Sequence, residues 1–163
     1  MDLTKSLKDI ASLFEQEITL STSLLSVMKS EQSALSANDL PAFESAVMEK
    51  IRFISEIEST EKKLVNILDS HGASIDKKDI NTLAAQGNKQ DKENISLLMD
   101  KLSDIAEQCQ NQNLINSKII DSSNSNIQKI IGILRGQTAD NGGLYDLSGK
   151  SSNKILPQTL GRV

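Results

Sequence analysis

The first 36 residues carry apolar side chains at steps of three or four and contain neither proline nor glycine. This spacing follows the helical repeat and predicts one amphipathic helix over about 3–36. Only Ser21 and Gln32 interrupt its stripe, which otherwise consists of Leu3, Leu7, Ile10, Phe14, Ile18, Leu25, Met28 and Leu35. Because the chain has only three phenylalanines and one tyrosine, a core must be built from aliphatic residues, which suits packed helices.

A second helix is predicted directly after the first, over residues 40–70. Asp39 can accept hydrogen bonds from the free amides of its first turn, where Pro41 needs no amide partner. Gly72 can adopt the left-handed conformation that closes a helix. The connection is so short that the two helices must form an antiparallel hairpin. The predicted stripe of the second helix is Leu40, Phe43, Val47, Ile51, Ile54, Glu58, Glu61, Leu64 or Val65, and Leu68.

A third long helix is predicted over residues 91–134, after a crossover with a short helix in residues 73–90. At ~1.5 Å per residue it is about 66 Å long, against about 51 Å and about 47 Å for the others. Its end therefore carries apolar residues beyond the hairpin, and such surface usually marks a partner site. The alternative is that the first helix or a second copy of the chain covers them. These residues are Ile119, Ile120, Ile127, Ile130, Ile131 and Leu134.

The sequence thus predicts an all-α fold, a coiled-coil-like antiparallel bundle of three long helices over residues 1–135, followed by an irregular tail over 136–163. Residues 122–163 hold two acidic and five basic side chains, whereas residues 1–121 hold 20 acidic and 13 basic ones. The tail is rich in glycine, serine and asparagine, which is typical of irregular structure. Its apolar residues, bracketed by glycines, indicate a linear docking motif, although the tail could instead fold back on the bundle. The motif residues are Leu144, Tyr145, Leu147 and Gly149.

Several function classes fit this chain poorly. It is acidic overall and has no tryptophan, so it lacks the basic face and the stacking rings that nucleic acids require. Catalysis or metal binding needs converging His, Cys and carboxylate groups. The chain has a single histidine, His71, and a single cysteine, Cys109, and we interpret both as structural. No segment approaches the ~20 apolar residues of a membrane span. We expect a cytoplasmic protein that is not an enzyme, has no cofactor and does not insert stably into membranes.

Three short patterns lie in the second helix, the third helix and the tail. In the second helix, Glu49-Lys50 is followed by the apolar residues Ile51 and Ile54. In the third helix, Asn113 and Asn116 are followed by Ser117, Ile119 and Ile120. Just past the last helix, Leu144-Tyr145 is followed by Gly149-Lys150. These patterns resemble, in the same order, the Glu-Lys and apolar pattern, the pair of asparagines three apart and the Leu-Tyr-Gly motif of the FlgN-type flagellar export chaperones. Asp146 stands where the family usually has the first glycine.

The resemblance implies a chaperone that holds the C-terminal helical region of FlgK- or FlgL-type hook-associated proteins and brings them to the export gate protein FlhA. The apolar end of the third helix would hold the client, and the segment at Leu144-Tyr145 would dock on the gate. The competing interpretation is a structural coiled-coil adaptor that forms a homo-oligomer, and a homodimer is compatible with either. The apolar stripe predicted for the third helix is interrupted by the polar residues Gln112, Asn116 and Ser123. Polar residues at such positions favour a reversible partner over a permanent one.

Overall fold

The computed structural model describes residues 2–135, and these residues form four helices without a strand. The helices are α1 (Leu3–Ala37), α2 (Leu40–Asp69), α3 (Lys77–Ala84) and α4 (Lys89–Leu134). The all-helical prediction is confirmed. None of these helices combines the length and the apolarity needed to cross a bilayer. The chain divides into two units, Met1–Asn124 and Ser125–Val163, and each is described by itself below.

Two residues connect α1 to α2, and local hydrogen bonds explain the tight turn. Asn38 takes the left-handed conformation with φ +53°, and the Asp39 amide donates to the Ala34 carbonyl at 2.9 Å. Asp39 then caps α2, since its carboxylate accepts from the Ala42 amide at 3.1 Å. The predicted cap is confirmed.

Gly72 closes α2 as the sequence predicts. Its φ is +68°, and the Ala73 amide donates to the Leu68 carbonyl at 3.0 Å. This six-to-one hydrogen bond is the mark of a Schellman closure, which needs a left-handed residue and so favours glycine. The helix proper ends earlier, at Asp69.

Side-chain contacts fix the direction of the helices within residues 2–124. Ser6 lies against His71 and Glu31 against Lys50, so positions on α2 decrease as those on α1 increase and the pair is antiparallel. Cys109 contacts the Ser21 carbonyl, and Asn116 contacts the Met28 carbonyl. Positions on α4 therefore increase together with those on α1, and the two helices run in the same direction.

The apolar core lies at the end of this unit where α1 and α4 begin and α2 ends. Short α3 covers it with Ile80, Leu83 and Ala84, which are almost fully buried. Gly87, between α3 and α4, allows a close approach, because a Cβ there would overlap the Leu7 side chain. The other members of the cluster are Leu7, Ile10, Phe14, Leu64, Leu68, Ile95 and Leu98.

The predicted stripe of α2 is confirmed at its end, where Leu64 and Leu68 are buried. It is wrong over most of the helix before them, and the predicted stripe residues Glu58 and Glu61 are exposed. Ile51 and Ile54 are 62% and 39% exposed, whereas Ala46 is buried and Lys50 is half-buried. The reason is the ion pair between Lys50 and Glu31 of α1, which turns the Lys50 face of α2 inward. Leu40, also in the predicted stripe, is 62% exposed.

Candidate functional site

The end of α4, residues 125–134, exposes most of its apolar side chains. Ile127 and Ile130 are 52% and 56% exposed, and Leu134 is 81% exposed, while Ile131 is half-buried. Steps of three and four residues place these four side chains on one face of the helix. Ile133, 73% exposed, lies off that face. We call Ile127, Ile130, Ile131 and Leu134 the terminal face of α4.

Ile119 and Ile120, which the sequence analysis grouped with these residues, belong to the other unit and are half-buried. Ile119 borders a shallow depression of about 360 Å³ on α4, together with Ile115 and Lys118. Ile115 is 43% exposed. This part of α4 therefore offers some apolar surface to a partner, but each predicted residue presents less of it than Ile127 or Ile130.

The predicted docking residues Leu144, Tyr145, Leu147 and Gly149 lie outside the described residues.

A polar layer joins α1 and α4 in the interior of the first unit. Asn116 is 1% exposed, and its Nδ2 donates to the Met28 carbonyl and to Glu31 Oε2, both at 2.8 Å. Gln112 Nε2 donates to Asn116 Oδ1 at 3.0 Å and to Gln32 Oε1 at 2.8 Å. Burying an amide without hydrogen-bond partners is costly, and only one register between α1 and α4 gives these amides their partners. The layer therefore fixes that register.

The same layer extends to α2 through Lys50. Its ammonium lies 3.1 Å from Glu31 Oε2 and donates to Asn113 Oδ1 at 2.8 Å. Glu31 is 3% exposed, so its negative charge needs this cation and the Asn116 amide. Lys50, Asn113 and Asn116, which come from two of the three family-like patterns, thus meet in one network.

The network changes the interpretation of the polar stripe on α4. Gln112 and Asn116 find their hydrogen-bond partners within the chain, and Ser123 is exposed. Gln112 and Asn116 therefore specify how α4 packs on α1. None of the three positions distinguishes a reversible partner from a permanent one, contrary to the prediction from the sequence pattern.

A second buried acid, Glu17, lies on α1 with no partner for its Oε1 atom. It is 6% exposed and lines a cavity of about 460 Å³. Burial, and secondarily the nearby negative charge of Glu61, raise the pKa of Glu17 from 4.5 to about 7. Ionised Glu17 is therefore unfavourable in this environment unless a cation enters the cavity.

The single cysteine, Cys109, and the single histidine, His71, each form a hydrogen bond to a residue of α1. Cys109 is half-buried, its thiol donates to the Ser21 carbonyl at 3.4 Å, and burial raises its pKa, which lowers its reactivity. His71 Nε2 lies 2.9 Å from Ser6 Oγ and ties the end of α2 to the start of α1. Within residues 2–135 no three His, Cys, Asp or Glu side chains are grouped so as to hold a metal ion.

Sequence reasoning missed the buried acids Glu17 and Glu31, although their positions contain a signal. Glu17 follows Phe14 by three residues, and Glu31 follows Met28 by three, so each shares the buried face of α1. A charged residue at such a position indicates either a buried ion pair or an unfilled site. The structure shows a buried ion pair at Glu31 and, at Glu17, an Oε1 atom without a hydrogen-bond partner.

Comparison with known proteins adds a family and a fold. The family model described as FlgN protein matches residues 1–153. Among solved structures, a flagella synthesis protein FlgN from Pseudomonas aeruginosa superposes with a TM-score of 0.60 at 24% sequence identity. The match covers 70% of this chain and 88% of that protein. A search of curated proteins finds no match.

Proposed function

Because the chain belongs to the FlgN protein family and is thereby a flagellar protein, we propose that it is a cytoplasmic export chaperone without enzymatic activity or cofactor. It binds the C-terminal helical region of hook-associated proteins of the FlgK or FlgL type and prevents their premature assembly. It then delivers them to the export gate protein FlhA. The observation that supports the client-binding role is the exposed terminal face of α4.

The terminal face has the geometry that an amphipathic client helix needs. Its side chains recur at three, four and seven residues, and a client helix with an aliphatic stripe of the same spacing can lie along it. Burial of apolar surface contributes roughly 25 cal/mol per Å² removed from water. A client helix held in this way has its own stripe covered, and for that reason it does not associate with other subunits early.

Ile119 and Ile120 are proposed as secondary client contacts. They are half-buried in the free protein, so a client gains less from each of them than from Ile127 or Ile130. Their role is tested separately, by Ile119→Asp alone, which should weaken client binding less than the same change at Ile130.

Docking on the gate is assigned to the tail residues Leu144, Tyr145, Leu147 and Gly149. A tyrosine buries a large apolar ring while losing few rotatable bonds, and it is a frequent anchor at interfaces. Client and gate then use different residues, so the two functions should be separable by substitution.

The test is recovery of hook-associated proteins from a flagellated-cell lysate on the immobilised full-length chain, identified by mass spectrometry. The triple variant Ile127→Asp, Ile130→Asp and Ile131→Asp should recover none. A matched control carries Met48→Asp, Ile51→Asp and Leu97→Asp, which add the same charge at positions 73%, 62% and 53% exposed elsewhere. Recovery unchanged by the first triple, or lost with the second, would contradict the assignment to α4.

A permanent homo-oligomer is the second candidate, favoured by the exposed Leu40, Met48 and Ile51 on α2. An apolar row of this kind can also pair two copies of the chain. Sedimentation analysis distinguishes the candidates. A dimer that persists on dilution and recovers no hook-associated protein supports the adaptor, whereas a monomer that binds client supports the chaperone.

A further inference from the structure

A cavity of about 460 Å³ within residues 2–124 is lined by all four helices and is used by neither proposed site. Its volume falls in the range of roughly 300–1,000 Å³ that is typical of ligand sites. Most of its wall is aliphatic or aromatic. The apolar lining includes Phe14, Ile57, Leu64, Ile80, Met99 and Leu102.

Two carboxylates interrupt this apolar wall and lack a cation. Glu17 is 6% exposed and its Oε1 has no hydrogen-bond partner, while Glu61 lines the same cavity from α2. The one basic side chain of the described lining, Lys77, is 62% exposed and lies 2.8 Å from Asp100 rather than against either carboxylate. A buried acceptor without a partner is rare in folded proteins, because it costs about 1–3 kcal/mol.

We propose that this cavity receives an arginine side chain carried by an apolar segment of a partner protein. The guanidinium lies against Glu17 and Glu61, and the aliphatic stem lies along the apolar wall. This inference does not depend on the flagellar assignment, since it needs neither the terminal face of α4 nor the tail.

Charge complementarity and shape together favour this occupant. Arginine combines an apolar stem with a planar cation that is less strongly hydrated than an ammonium and can donate to two carboxylates at once. A neutral apolar side chain would fill the cavity but would leave Glu17 Oε1 unpaired. A metal ion is a poor occupant, because no group of three ligating side chains is found among the described residues.

The test uses the full-length chain, labelled on its methyl groups, and a short blocked helical peptide with one arginine between two leucines. The matched probe replaces that arginine with the neutral isostere citrulline. The arginine peptide should bind at least about tenfold more tightly, as expected for one desolvated charge pair. Its NMR shift changes should centre on methyl groups of the cavity such as Leu64 and Leu102.

Variants connect the effect to the two acids. Glu17→Gln should abolish the preference for arginine over citrulline, and Glu61→Gln, at an exposed position, should reduce it. The control Glu58→Gln removes the same charge from an exposed position of α2 and should leave the preference unchanged. The Glu61 variant keeps the test decisive if Glu17→Gln disturbs the fold.

Three results would overturn the proposal. They are equal affinity for the two peptides, an arginine preference that survives both glutamine variants, and shift changes centred outside the cavity. Butylguanidinium is the control for a free small cation. If it binds as tightly as the arginine peptide, the cavity is a site for small cations and the peptide assignment is wrong. None of these results affects client binding at α4, so the two proposals fail separately.

Discussion

Replacing Ile127, Ile130 and Ile131 with aspartate should abolish client binding and leave residues 2–124 folded. Burying a whole isoleucine side chain contributes roughly 1.5–3 kcal/mol. Because Ile127 and Ile130 are 52% and 56% exposed, a client can bury about half of each, which corresponds to roughly 1 kcal/mol per residue. Half-buried Ile131 adds less. The loss of roughly 2–3 kcal/mol corresponds to an affinity about 100-fold lower, and desolvating three carboxylates weakens binding further.

The assay is titration of a labelled C-terminal helical fragment of a FlgK- or FlgL-type protein. It is titrated with the wild-type chain, with the triple variant, and with the control variant that carries Met48→Asp, Ile51→Asp and Leu97→Asp. Circular dichroism melting of the same proteins reports on the fold. The apolar cluster and the residues packed against it extend along α4 only to Leu102, so the midpoint of unfolding should change little. A loss of helicity throughout the chain, or wild-type affinity in the triple variant, would refute the assignment of these residues to an exposed client surface.

Three further predictions concern Tyr145, Cys109 and Glu17. Tyr145→Ala should weaken binding to FlhA by about tenfold, as for an interface anchor, and leave client affinity unchanged. If parallel titrations showed unchanged FlhA affinity and weaker client binding, the tail residues would have to be assigned to the client site. Cys109, half-buried against Ser21, should react with a water-soluble alkylating reagent at least about tenfold more slowly in the native protein than in denaturant, and equal rates would mean that α4 packs with another face. For Glu17, whose pKa is raised from 4.5 to about 7, the folded protein binds the proton more tightly, so wild-type stability should fall as pH rises through that window. Glu17→Gln should remove this fall, and after allowance for solvent screening it should raise the free energy of unfolding at pH 8 by about 1–2 kcal/mol. Parallel pH profiles of the wild type and the variant in urea unfolding would contradict this.

Local signals in the sequence were sufficient to predict the hairpin. Asp39 caps α2, and left-handed Gly72 closes it, because both roles depend on hydrogen bonds within a few residues. The positions of Gln112 and Asn116 on the stripe of α4 were also predicted correctly, since both residues are buried.

The face of α2 could not be obtained in the same way. Ile51 and Ile54 outweigh Lys50 in any count of apolar residues, yet Lys50 turns inward because Glu31 and Asn113 lie on other helices. A contact between residues that are distant in the sequence decided the outcome, and no local pattern contains that information. The same contrast between local patterns and contacts of distant residues applies to the candidate sites. The length of the third helix and its apolar residues predicted a client surface that includes the four residues of the terminal face, together with Ile119 and Ile120. The cavity at Glu17 could not be predicted in this way, because its lining comes from four helices.

In the proposed function, stability and client binding depend on different parts of the chain. The apolar cluster is drawn from the start of α1, the end of α2, α3 and the start of α4, and the polar layer at Glu31, Lys50 and Asn116 fixes the register of the helices beyond it. None of these residues lies in 125–134. A chaperone must release its client, so a client has to bind to its surface and leave it again without unfolding of the remaining chain. An apolar face that contributes nothing to the core meets this requirement, because its burial free energy is available only when a partner is bound.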